Sequence, residues 1–176
     1  MEGGDGMLAT LTRVGLIGTR VGLIGLISVL APPAPAQLLT HRDLSYAIAR
    51  TIAETAIASC TANGYRVSAV VVDREGEVMV ALRGDDASPH TMENARRKAY
   101  TALSFRVATS EYARRFASDN PVVRQQVTLP NVIAIPGGLP IKLADDVIGG
   151  VGVSGSPGAD EPCVQAGLDK VADLLR

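Results

Sequence analysis

The sequence predicts an α+β fold built on a mostly antiparallel sheet. Three features carry that expectation. Two apolar, β-branched runs sit either side of a four-residue turn, stretches with helical spacing flank them, and most connections are short. The order reads helix, hairpin, helix, sheet, helix, with five strands in all.

Thr40-His-Arg-Asp43 resembles a capping box, and Leu44, Ile48, Ile52, Ala56 and Ile57 recur at helical spacing behind it. Asn63-Gly64 supplies the stop, because glycine accepts the left-handed conformation past a helix end. Residues 65–72 form a buried strand, Asp73-Arg-Glu-Gly76 turns the chain, and residues 77–82 return as its antiparallel partner. A second helix is expected from Thr91, with Ala95, Ala99, Ala102, Leu103 and Arg106 along one side. Its small side chains let it lie close against a sheet. Ser110 is expected to cap a shorter helix through Phe116, ended by Asp119-Asn-Pro121 and followed by a surface loop to Pro130. Three more strands fit residues 131–135, 139–143 and 147–153. The last holds Gly149, Gly150 and Gly152, which weaken a strand unless a backbone, helix or ligand must approach closely. Val164, Leu168, Val171, Leu174 and Leu175 mark the apolar face of a C-terminal helix. Asp160 and Glu161 suit its positive N-terminal end.

Composition narrows the function by exclusion. Seventeen Lys and Arg against 18 Asp and Glu leave a net charge of −1, without the basic footprint of a nucleic-acid binder. Aromatic residues are 3% of the chain, too few for stacking platforms. No apolar run reaches the ~18 residues of a membrane span. Arg13 and Arg20 precede an apolar stretch at residues 21–31, and Ala34-Pro35-Ala36 offers the small residues a signal peptidase reads. Residues 1–36 are therefore expected to be a secretory signal peptide and residues 37–176 one domain, periplasmic or secreted. Export favours a disulfide between Cys60 and Cys163 over two buried thiols. Closing a loop of ~100 residues contributes up to about 4.7 kcal/mol in the chain-entropy model.

His41 and His90 are the only imidazoles. His41 reads as a surface residue. His90 follows Ser88-Pro89 and opens a helix, so rigid local structure holds it and a ligand role is the sharper reading. Arg83, Arg96, Arg97 and Lys98 add positive charge near the same connection, where a ligand's carboxylates could be held. Lys98 precedes Ala99 on the packed side and could rim a pocket. Gly150-Val-Gly152-Val-Ser-Gly155 lacks the strand and helix of a dinucleotide fingerprint, and Pro136-Gly-Gly138 lacks the spacing of a phosphate loop. No Cys-x-x-Cys-His is present for covalent haem attachment.

Several blocks together resemble the GlcG/HbpS-like haem-binding family. They are Val70-Val-Val-Asp73-Arg-Glu-Gly76, Leu82-Arg83-Gly-Asp85-Asp-Ala87, Ala95-Arg-Arg-Lys98-Ala-Tyr-Thr-Ala102, Pro136-Gly-Gly-Leu-Pro-Ile141, Ile148-Gly-Gly-Val-Gly-Val-Ser-Gly155 and Asp160-Glu-Pro-Cys163-Val-Gln-Ala-Gly167. They run in order over nearly all of residues 38–176. The resemblance implies a profilin-like domain, a homo-oligomer, and a non-covalent haem or similar small ligand. His90 is then the candidate axial ligand of the haem iron. Arg83 and Lys98 become candidate propionate partners, and Gly137 and Gly138 complete the cofactor-binding set. Neither nucleic acid nor, in the mature form, a membrane is an expected partner. An enzyme acting on haem or a small organic acid, and a non-catalytic assembly or sensory module, are the alternative readings.

Overall fold

In a computed structural model, which describes residues 37–176, the chain passes through α1 (Tyr46–Ala62), β1 (Ser68–Val72), β2 (Val78–Arg83), α2 (His90–Phe105), α3 (Thr109–Ala117) and α4 (Pro121–Gln126). It continues through β3 (Gly138–Leu143), β4 (Asp146–Ser154), α5 (Asp160–Lys170) and a 3₁₀ turn at Ala172–Leu174. The expected leader, residues 1–36, lies outside the described residues. Residues 37–39 go with the N-terminal unit Met1–Leu39, and the elements all belong to the other, Thr40–Arg176.

The sheet has the order β2-β1-β4-β3, and every neighbouring pair is antiparallel. Helices α1 and α5 cover one face, where Ile52, Ala56, Val71, Val151, Val153 and Val164 pack together. Helix α2 covers the other, with Ala95 and Ala99 against Val70 and Val72. Central β1 is buried at all five positions, so it reads in sequence as an unbroken apolar run rather than an alternation.

The sheet has four strands where the sequence predicts five. Residues 132–135 are apolar and largely β-branched, yet residues 131–135 pair with no strand among the described residues. Instead the Ile133 N–H donates to the Thr101 hydroxyl (2.9 Å) and the Val132 carbonyl accepts from the Arg97 guanidinium (2.6 Å). Side chains of α2 thus satisfy a backbone that a ladder would otherwise have to satisfy, while Val132 packs with Tyr112 and Val123 in a small separate cluster. The expected surface loop before Pro130 contains α4. Asn120 caps it, accepting from the N–H groups of Val122 and Val123, and Pro121 takes the first helical position, where it has no bond to lose. Asn-Pro here starts a helix besides ending one. Other boundaries also move. Ser45, not Thr40, caps α1, so Leu44 enters the core ahead of the helix. Ser110 lies inside α3, and Arg106 is the exposed left-handed cap of α2.

The glycines of β4 answer the question the sequence poses about them. A Cβ on Gly150 or Gly152 would overlap the carbonyl oxygen of Ala99 or Ala95 respectively, both on α2. Helix backbone and sheet backbone are in direct contact along this strip, which only a glycine row facing an alanine face permits. Gly152→Ala is therefore expected to lower stability by about 1–3 kcal/mol through overpacking. Urea unfolding of the variant against the parent measures it, and a change near zero would mean that α2 rides higher than described.

Candidate functional site

His90 opens α2, and its exposed side chain borders a hollow of about 350 Å³. Arg66, Ser88, Asn94, Lys98 and Ile135 border it too. The start of the helix is tied to the sheet by a buried hydroxyl pair. Thr91 Oγ1 donates to the Ser88 carbonyl (2.7 Å). With its one hydrogen spent there, it accepts from Ser68 Oγ at 2.8 Å. That pair fixes the height at which His90 leaves the helix.

Lys98, two turns further along α2, is 1% exposed. Its Nζ donates to Asp160 Oδ2 at 2.7 Å and to the Val153 carbonyl at 3.0 Å. Asp160 Oδ1 accepts from the Ser156 N–H (2.9 Å) and the Ser156 hydroxyl (2.6 Å). Ser156 Oγ in turn lies 3.2 Å from Cys60 Sγ, and a disulfide joins Cys60 to Cys163. The floor of the hollow is therefore a buried ion pair clamped from α5 rather than a free cation. Gly137, at φ +131°, makes room for it. A Cβ there would stand 2.7 Å from both Lys98 Nζ and Asp160 Cβ. Gly138 packs on the Lys98 carbonyl in the same way. Both glycines support the floor from behind, and neither borders the hollow.

The other cations near this connection point elsewhere. Arg83 Nε donates to the Ala87 carbonyl at 2.8 Å, and the residue borders a second hollow of about 690 Å³ with Tyr65, Leu82 and Asp85. Arg96 holds Glu93 (2.8 Å) and reaches Asn131. Its hydrogen bonds pull the Glu93 carboxyl below the ordinary carboxylate range. Arg97 donates one N–H to the Val132 carbonyl, and its buried Nε has no partner among the described residues. His41 is exposed and precedes α1. Sequence reasoning missed Arg66, which borders both hollows. Its only sequence signal is a charge directly before a buried strand. It also missed the role of Asp160, which reads as a helix-dipole residue until α5 is seen docked over Lys98.

An antiparallel sheet with helices on both faces, and a hollow beside the N-terminal end of α2, defines an α+β protein with room for a ligand there. The chain belongs to the HbpS-like family, described as haem degrading protein HbpS-like, whose family model matches residues 44–169. It is similar to an uncharacterised 15.0 kDa protein of Citrobacter freundii, with 30% identity over 133 residues, 74% of this chain and 94% of that one. Among solved structures it is similar to a double mutant of HbpS from Streptomyces reticuli. Identity is 34% and the TM-score 0.71, covering 80% of this chain and 97% of that one. A PduOC:haem complex is 26% identical with TM-score 0.64, covering 73% and 94%.

Removing one partner of a buried ion pair leaves the other charge uncompensated, a loss of about 3–5 kcal/mol. Asp160→Ala is expected to destabilise by that order. The double variant Lys98→Met with Asp160→Ala should recover most of it. Denaturant titration of the two single variants and the double variant gives the coupling directly, and strict additivity would show that the pair does not interact.

Proposed function

We propose that the protein binds haem, or a similar tetrapyrrole, non-covalently in the hollow beside His90, and that it does so as an exported protein. The observation that carries this is the placement of an exposed imidazole at the rim of a ligand-sized hollow on a fold similar to that of a PduOC:haem complex. Among the described residues no group of three His, Cys, Asp or Glu side chains could hold a metal ion. A neutral imidazole is a common haem-iron donor.

The residues fit such a ligand in part. Ile135 and Gly155 supply apolar or open surface, and Asn94 and Ser88 supply polar contacts. At about 350 Å³ the hollow sits near the small end of pockets that enclose a drug-sized ligand. A macrocycle would stand partly outside it, and a second copy of the chain is the cover this reading calls for. Bound haem would supply an iron whose reactivity the axial ligand and the polarity around it set. His90 would hold that iron, and Thr91 and Ser68 would hold His90 in place. Lys98, already paired with Asp160 at 2.7 Å, is not an open anchor for an acid.

Export rests on the leader-like residues 1–36 and on the Cys60–Cys163 bridge, which suits an oxidising compartment. Among the described residues no helix is long and apolar enough to cross a membrane. Titration of the protein with ferric haem is expected to give a saturable Soret band, displaced and weakened in His90→Ala. A wild-type spectrum identical to free haem would end the haem reading. A variant spectrum identical to wild type would move the iron to another ligand.

A further inference from the structure

We propose that Arg66 is the acid-binding residue of the ligand site, and that the ligand is an apolar molecule bearing a carboxylate seated against this guanidinium. The proposal rests on the reading of the His90 hollow as the ligand site and adds to it the group that selects the ligand's charge.

The cations near the hollow differ in what they already hold. Lys98 borders the hollow, but Asp160 neutralises it at 2.7 Å and the Val153 carbonyl takes a second N–H. Arg83 turns to the Ala87 carbonyl, Arg96 to Glu93 and Arg97 to Val132, and none of the three borders this hollow. Arg66 is different. Its nearest carboxylate is Asp86 at 3.9 Å, between side chains that are 69% and 77% exposed. At that distance and exposure the two charges are loosely associated and screened by water, so the guanidinium keeps donors for a ligand. A planar fork of N–H groups matches a carboxylate with two parallel hydrogen bonds.

Position adds to charge. Arg66 precedes β1 and is common to the borders of the 350 Å³ and 690 Å³ hollows. The larger of the two has apolar walls from Ile57, Val67 and Leu82 beside the Tyr65 ring, but Glu54, Asp85 and Asp86 also line it, so an anionic group is better placed at the Arg66 edge than inside it. An acid group held on Arg66 therefore leaves the apolar body of its molecule free to lie toward His90 on one side or across Leu82 on the other. For a tetrapyrrole the acid is a propionate. For a smaller aromatic acid it is the ring carboxylate.

Two probes separate this from the haem reading. Haem and its dimethyl ester, which lacks free acids, are titrated into the parent, Arg66→Met, and Arg114→Met, whose exposed side chain on α3 serves as a control for the lost charge. Arg66→Met is expected to weaken haem roughly three- to tenfold, to leave the ester within about twofold, and to leave the Soret position unchanged. Arg114→Met should change neither. Equal losses for haem and ester, or an equal loss in the control, overturn the proposal while leaving haem binding intact. Should haem not bind at all, benzoate is followed by NMR at the His90 ring and the Arg66 guanidinium. A saturable shift in the parent, absent in Arg66→Met and absent with benzamide, supports the acid site without haem. No shift in the parent overturns it.

Discussion

The first turn of α5 is where the rest of the molecule is tied together. Within four residues Asp160 grips Lys98 of α2, Glu161 reaches α3, and Cys163 is bonded to Cys60 of α1. Glu161 Oε1 accepts from the Ser110 N–H at 2.7 Å, filling the cap that Ala108 cannot supply, and from the Gly137 N–H at 3.3 Å. Helix N-termini leave four N–H groups without intrahelical partners. Here one helix meets part of that need for another, and its own dipole favours the carboxylates that do so. Losing this turn would unseat α1, α2 and α3 together.

The second constraint is the absence of side chains between α2 and β4. Alanines on the helix and glycines on the strand bring two backbones into contact, so α2 has little freedom to slide or lift. That fixed height carries Lys98 Nζ past Gly137 to the Val153 carbonyl, and it sets His90 at the mouth of the hollow rather than over the sheet. The site is a consequence of the packing, built along the N-terminal half of a helix face whose height the core determines.

Much of this was legible in the sequence because it is local. The β1–β2 hairpin, the alanine face of α2 and the glycine row of β4 follow from residue type and spacing, while the disulfide, between cysteines 103 residues apart, follows from the expected export and from there being only two cysteines. What was not legible is what depends on distant partners. Residues 131–135 have the composition of a strand, and only Thr101 and Arg97 arriving from α2 make a ladder unnecessary. Asn120-Pro121 carries the same letters whether a helix ends or begins there. In the site, the sequence places Arg83, Arg96, Arg97 and Lys98 near one connection and offers Arg83 and Lys98 as partners for a ligand's carboxylates. Arg83 and Arg97 turn to backbone carbonyls, Arg96 pairs with Glu93, and Lys98 pairs with Asp160, 62 residues away. Counting charges along a chain cannot show which of them are already answered.

The Lys98–Asp160 pair poses a last question, since burying two charges is costly and apolar replacements are often as stable. An apolar contact between α2 and α5 would hold over a range of small displacements. An ammonium that must meet one carboxylate oxygen and one carbonyl, while Ser156 fixes the carboxylate's other oxygen, holds in a single register. The pair therefore contributes alignment more than cohesion. By neutralising Lys98 it also removes the nearest competing cation from the hollow, so the sign of the site is left to a residue at its edge that solvent still reaches.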